Sequence, residues 1–457
     1  MYISQGNLFF LDFPIGECGI LVRLAVRPSR HDGQYNQLKE DAMEGNALAR
    51  GLSPGTFKHW KRKTVLFLSG QTVSLFGSSL VQFAIIWYIT LSTQSGGIMT
   101  IASICGFAPQ IVISLFSGVW ADRASRKLLI IGADALVATA TFILALFFLS
   151  GHDDLWMVFL VSGIRSLGTG IQTPAVNAML PQIVPADKLT RIGGINGSLQ
   201  SVMFILSPAA AGALLSFTEL EYTFFIDVST AAAAIVIMIL LKVPLHEKAK
   251  LKQKGGYLGD LKAGLKYVLG SGFFRSYFLF YALFFFLIVP ASQLTPLMVA
   301  RTFGDEYWRL SAMEISFAAG GVLGGIVISL WGGFKNRMHT IALCCILFGI
   351  LTALVGILPG FITFLVLMVL TGSTVPLFTT PSMVLLQEQV DPNMQGRVFS
   401  LAQIVMTSMV PLGMVFFGPI SDQIRIETLM LITGICGALT GVAVFFNKHF
   451  KSGLITD

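Results

Sequence analysis

The sequence predicts an all-α integral membrane protein: twelve transmembrane helices in two pseudo-symmetric six-helix bundles. Three observations lead there. Hydrophobic residues make up 54% of the 457 and charged ones only 12%, with a mean hydropathy of +0.75, whereas soluble domains carry about a quarter charged residues. Apolar runs of the roughly 20 residues that cross a hydrocarbon core recur between 64 and 446. Lipid offers backbone groups no partners, so runs of this length are helices and not barrel strands. Third, the chain looks duplicated. Thr173-Pro174 is followed by Pro185, and Thr380-Pro381 by Pro392, 207 residues further on. That offset is close to the distance from the first span to the seventh.

The elements follow in order. Residues 1–63 form a tail, read as disordered over 1–42, or as the product of an upstream start, with Met43 opening an ordinary short tail. Its apolar part is interrupted by Asp12, Pro14, Glu17 and Arg23 and has no signal-peptide layout. Residues 64–242 hold the first six spans. Residues 243–272 form a basic linker, in which Leu261, Leu265 and Val268 share a helical face beside Lys262 and Lys266. This is either an amphipathic helix on the inner leaflet or a solvated linker with snorkelling lysines. Residues 273–446 hold the other six spans, and 447–457 form a short tail.

Charge sets the orientation. With twelve spans, 27 of the 31 Lys and Arg residues fall on the side of the N-terminus, and only Arg301, Arg309 and Arg425 on the other. Positive loops stay in the cytoplasm, so both termini are expected there. This bias accounts for the net charge of +7 without a nucleic-acid partner. The five Cys show no metal-ligand spacing and read as small apolar residues.

The densest charge cluster is "GVWADRASRK", residues 118–127, between spans 2 and 3. A tight turn at Gly118 is expected, with Asp122, Arg123, Arg126 and Lys127 in water. The pattern G-x-x-x-D-R-x-x-R-K resembles the signature loop of the major facilitator superfamily, with Ser125 where a second Gly is usual. The resemblance implies that Asp122 docks on the N-terminal end of the eleventh helix and latches the outward-open state. "IRSLGTGIQTPAVNAMLPQIVP", "LQSVMFILSPAAAG" and "DLKAGLKYV" resemble the drug-exporter branch that holds macrolide efflux proteins and siderophore exporters. "SPAAAG", with Pro208 and Gly212, resembles a degraded fifth-helix antiporter motif, and close packing of small residues explains it equally well.

Polar residues at membrane depth mark function. In span 1, Gln71, Ser74, Ser78 and Gln82 fall in one narrow arc, expected to face a cavity. In span 4, Arg165, Thr169 and Gln172 share a face. "RSLGTG" resembles the superfamily's fourth-helix motif, whose Arg is implicated in proton coupling; an Arg that pairs to hold helices together is the other reading. The position 207 further on is Gly372, without charge. Three acids are candidate partners or proton carriers. Asp134 is read as part of the cytoplasmic cluster with Lys127. Asp227 and Glu314 are placed near the outer ends of spans 6 and 8, as proton sites or as interfacial carboxylates. Pro290 and Pro296 are expected to break span 7, and Pro376 and Pro381 span 10.

The function expected is export of a bulky, hydrophobic, macrolide-like compound by drug/proton antiport from a bacterial-type plasma membrane. The proton gradient is the energy source, the lipid bilayer, protons and a small hydrophobic substrate are the partners, and no cofactor or metal is required. A monomer is expected. A siderophore or peptide exporter of the same fold, or a transporter-like sensor or scaffold, is the alternative. No GxxxxGK[ST] loop is present for ATP hydrolysis, and none of the six His lies deep in a span to serve an intramembrane enzyme.

Overall fold

The computed structural model describes residues 9–15, 20–26, 59–241, 243, 257–357, 360–447 and 450. In the tail expected to be disordered, strands β1 (Phe9–Ile15) and β2 (Ile20–Val26) pair antiparallel, with Phe9 opposite Val26 and Ile15 opposite Ile20. Residues 27–58 lie outside the described residues.

The first six spans are α1 (Trp60–Thr93), α2 (Gly96–Arg123), α3 (Arg126–Leu149), α4 (Leu155–Ile183), α5 (Leu189–Phe217) and α6 (Leu220–Leu240). A linker helix follows, α7 (Tyr257–Gly270). The seventh span is composite: α8 (Gly272–Leu287), a π-turn at Pro290–Leu294, then α9 (Thr295–Thr302). The last five are α10 (Tyr307–Trp331), α11 (Arg337–Val355), α12 (Phe361–Gln389), α13 (Gln395–Ser421) and α14 (Ile426–Phe446). Eleven helical segments among the described residues are long and apolar enough to cross a membrane. The long helix outside that set is α4. At 29 residues it reaches about 43 Å at 1.5 Å per residue, ample for a crossing, but its polar content is high. It is the helix of Arg165 and Gln172.

The same pairings recur in both halves, as the Thr-Pro repeat anticipates. α2 packs on α4 as α10 does on α12; α3 packs on α6 as α11 does on α14; α3 meets α4 as α11 meets α12. The halves meet through a matched pair of contacts, α2 on α13 and α5 on α10.

Local chemistry explains several boundaries. Ser95 caps α2, its Oγ accepting from Ile98 N, and Asn336 Oδ1 accepts from Met338 N at the start of α11. Gly332, at φ 72°, ends α10 in the left-handed region. The turn after span 2 departs from expectation. α2 runs on through Gly118 to Arg123, and the chain turns at Ala124–Ser125, both in extended backbone. Ala124 N still donates to Trp120 O at 2.7 Å, so the helix closes six residues after the glycine. The prolines of span 10 do not break it: α12 is continuous through Pro376 and Pro381. Leu377 O, which loses its helical donor at Pro381, accepts from Cys344 Sγ at 3.3 Å.

The linker helix uses its apolar face on protein. Leu261 and Val268 join the core of the second half, and a Cβ on Gly264 would stand 3.1 Å from Leu401 of α13. Leu265 and Leu269 remain exposed with Lys262 and Lys266.

Gly372 occupies the place that Arg165 holds in the first half, and close packing fills it. An added Cβ would stand 2.1 Å from Phe317 O of α10. Gly372→Leu is therefore expected to cost about 1–3 kcal/mol through overpacking and to lower the thermal unfolding midpoint in detergent. Gly325→Leu, with open space at its Cβ, leaves the midpoint unchanged.

Candidate functional site: a buried polar network and a seal between the halves

Four helices of the first half converge on one ion pair. Arg165 of α4 and Asp227 of α6 form a salt bridge with side chains 6% and 0% exposed. Thr141 of α3 bridges them: Arg165 Nη1 donates to Thr141 Oγ1 at 2.6 Å, and Thr141 Oγ1 donates to Asp227 Oδ2 at 3.3 Å. Ser78 of α1 completes the set. Its Oγ donates to Asp227 Oδ1 at 3.0 Å, and its carbonyl accepts from Arg165 Nη2 at 3.0 Å. A buried pair survives desolvation only when its remaining hydrogen-bonding groups are satisfied, and here both carboxylate oxygens are. Arg165 Nε alone is buried without a partner.

A second carboxylate lies nearby in the same bundle. Asp134 of α3 is buried and accepts from Ser74 Oγ at 3.0 Å and from Gln172 Nε2 at 2.7 Å. It does not belong to the charge cluster around Lys127. Those cations bind helix ends: Arg126 Nη1 donates to Ala178 O, and Lys127 Nζ to Ile239 O and Leu241 O. Cations suit the negative C-termini of α4 and α6. The α2 backbone passes through Gly118, Asp122 and Arg123, but their side chains lie outside the described residues.

The span 1 arc divides. Ser74 and Ser78 turn into the bundle, while Gln71 is half-buried, Gln82 is exposed, and neither has a hydrogen bond among the described residues. Thr169 Oγ1 bonds its own helix, at Arg165 O. Asp227, expected within reach of water, is fully buried and saturated because α1, α3 and α4 all close over it. Glu314 differs from both N-half acids. It is half-buried on α10 and has no hydrogen bond or ion pair among the described residues. Leu323, Ile326 and Leu330 form the exposed apolar stripe of α10. At 100° per residue Glu314 lies on the opposite side of that helix.

The fifth-helix motif joins the halves. Pro208 O accepts from Ser311 Oγ of α10 at 2.9 Å, and a Cβ on Gly212 would stand 2.4 Å from Ser311 Cβ. The stronger junction lies at the end of the bundle away from Lys127. Asp422, just past α13, receives Gly96 N at 2.8 Å, Gly97 N at 2.8 Å and Ser95 Oγ at 2.9 Å from the start of α2. Arg301 Nη2 donates to the same carboxylate at 2.7 Å, and Arg301 Nε reaches Gln94 O at 3.2 Å. A carboxylate at a helix N-terminus meets free N–H groups and the positive dipole end. Partial burial raises the Asp422 carboxyl, but the bonds from Gly97, Gly96, Arg301 and Ser95 outweigh it and hold it below its ordinary value. Behind it α2 and α13 touch: a Cβ on Gly418 would stand 1.8 Å from Thr100 Oγ1, which donates to Met414 O at 2.8 Å. Sequence reasoning missed Thr141, Ser95, Arg301 and Asp422. Their partners are far off in the chain, 327 positions for Ser95 and Asp422, and the only signal was the rarity of charge on that side.

A model of the Major Facilitator Superfamily matches residues 67–414. The chain belongs to that superfamily. Within it, the chain is 33% identical over 380 residues to macrolide efflux protein A of Streptococcus pyogenes, covering 83% of this chain and 94% of that one. It is 33% identical over 314 residues to macrolide efflux protein A of Enterococcus faecalis, covering 68% and 97%. The staphyloferrin A transporter of Staphylococcus aureus is 22% identical over 396 residues, covering 85% and 97%. Among solved structures, the nucleoside transporter NupG superposes with a TM-score of 0.64 at 17% identity, over 87% of this chain and 100% of that one. A bacterial homologue of the iron transporter ferroportin, in an inward-facing state, gives 0.64 at 15%, over 84% and 98%. The chain is thus a multi-pass secondary transporter and not an enzyme.

Arg165→Ala leaves Asp227 buried and unpaired. It is expected to destabilise the protein by about 3–5 kcal/mol, read as a lower unfolding midpoint in detergent. The double change Arg165→Met with Asp227→Leu recovers most of that loss.

Proposed function

We propose that the protein exports a bulky hydrophobic compound of macrolide type, in exchange for protons, by alternating exposure of the space between its two halves. One observation carries this above all. The halves are sealed at one end by Asp422, and the interior face of α10 carries Glu314, a carboxylate with no ion-pair or hydrogen-bond partner among the described residues. The names of two relatives, both macrolide efflux proteins, point to macrolides as cargo. The skew of Lys and Arg supports an orientation with the Asp422 end outside the cell and both termini in the cytoplasm. The structure described is then closed to the outside.

Asp227 is saturated inside the first bundle, so a proton arriving there breaks existing bonds, whereas Asp134 is bonded through Oδ1 and its Oδ2 is buried without a partner. Glu314 has none to break, and it takes the proton-carrying role. Arg165 acts as the tie that keeps α1, α3, α4 and α6 one rigid body. Cells expressing the protein are expected to accumulate less radiolabelled erythromycin than cells without it, and a protonophore abolishes the difference. Glu314→Gln removes at least nine-tenths of the export while the protein is still made and folded. Equal accumulation with and without the protein overturns the exporter reading.

The seal has its own test. A carboxyl held below its ordinary value stabilises the state that holds it at all pH above that ordinary value, about 3.9, and loses the contribution as pH falls through the lowered one. Closure is therefore expected to persist from pH 7 to 5 and to fail only below about 3.9. It is read by energy transfer between dyes at Glu219→Cys and Gln423→Cys in a background without native cysteines. At pH 7, Asp422→Asn shifts the population toward the open state about tenfold or more, in line with ~1.5–3 kcal/mol for charge-assisted bonds.

A further inference from the structure

We infer that the second half carries a discrete recognition subsite for the uncharged ring system of the cargo, separate from the charged network of the first half. This rests on the exporter reading and names the chemistry it would hold. Between α8, α12 and α13 lies a cavity of about 500 Å³, within the range that holds drug-sized ligands. No charged side chain is among the described residues that line it. Its walls are Tyr277, Tyr281 and Phe399, with Met383 and Met406 beside them.

The cavity faces the protein interior. On α8, Tyr277 and Tyr281 are one turn apart, and the lipid-side residues Leu279 and Leu283 are 71% and 43% exposed on the other face. On α13, Leu412, Val415 and Phe416 form the exposed apolar side, and Phe399, Gln403 and Met406 point away from it at 100° per residue. The rim is polar and open: Thr379, Thr380 and Gln403 are exposed. Such residues at a lipid-facing mouth would leave hydroxyl and amide groups unsatisfied.

The wall is preorganised. Tyr277 stacks on Tyr281 at 5.7 Å, Tyr281 on Phe378 at 6.2 Å, and Phe378 on Phe284 at 4.2 Å between ring centroids. These contacts fix the tyrosine rotamers before any ligand arrives. Opposite them, the two methionines are polarisable and adaptable, suited to an irregular apolar body. Tyr277 Oη is buried beside Ser382, so the polar groups open to a ligand are those of the rim, Thr379, Thr380 and Gln403. The chemistry selected is a neutral, ring-containing lipophile bearing carbonyl or hydroxyl oxygens. A fixed charge is disfavoured, since the lining offers none to pair with it.

The test is binding to the purified full chain in lipid nanodiscs, with Nile red as the neutral probe and tetraphenylphosphonium as the charged one. Saturable Nile red binding is expected, displaced at least tenfold more weakly by tetraphenylphosphonium than by unlabelled neutral lipophile. Met383→Trp and Gln403→Trp fill the cavity and weaken binding at least tenfold. Tyr281→Phe keeps the affinity within about twofold, and Tyr281→Ala loses it about fivefold. Val322→Trp, on the exposed face of α10, changes nothing. All variants are compared at equal elution volume on a sizing column. Wild-type affinity in both cavity-filling variants, or no saturable binding to the folded protein, overturns the subsite. Cellular export failing while Nile red still binds saturably sinks the exporter reading and leaves the subsite standing.

Discussion

Placing charge inside a hydrocarbon slab is the constraint around which the molecule is arranged. Arg165 and Asp227 are tolerated because each neutralises the other and because Thr141 and Ser78 take up the remaining bonds. That requirement dictates much else. It draws α1, α3, α4 and α6 together at one level. It uses small residues at the crossing: a Cβ on Gly77 would stand 3.1 Å from the Asp227 Cα. It also makes α4 too polar to read as a lipid-facing span, so α4 depends on its neighbours for cover.

The second half meets the same architectural demand without charge. Where α4 has Arg165, α12 has Gly372, and backbone contact with α10 replaces the ion pair. α8 supplies stacked aromatics where α1 supplies serines. The two bundles share helix pairings but divide the chemistry. One is held by a buried polar network. The other offers an uncharged aromatic cavity and a free carboxylate.

The proposed rocking of two such bodies needs contacts that can be made and broken without disturbing either core. The junctions between α2 and α13, and between α5 and α10, have that character. Asp422 caps α2 through backbone N–H groups that water satisfies equally well once the seal opens. Arg301 lends charge to the same point and reaches Gln94 of the first half. Small residues at Gly96, Gly418 and Gly212 let the helices touch closely without interdigitating side chains.

The sequence by itself determined the membrane class, the helical spans, the twofold repeat and the superfamily, because these follow from hydropathy, charge bias and short local patterns. It also singled out the polar residues that the structure brings together, since Arg165, Gln172, Ser74, Ser78, Asp134 and Asp227 all stand out from an apolar background. Only the tertiary structure decided their partners. A helical wheel gives direction but not what lies there, so spacing alone sets Asp134 with Lys127, whereas its partners are Ser74 and Gln172. Spacing likewise sets Asp227 near water, whereas three other helices cover it. Gly118 reads as a turn, yet a glycine is tolerated within a helix, and the chain bends only where Ala124 and Ser125 take extended backbone. The seal at Asp422 left little local trace beyond the rarity of charge on that side, because its parts come from three helix ends brought together by the docking of the two bundles.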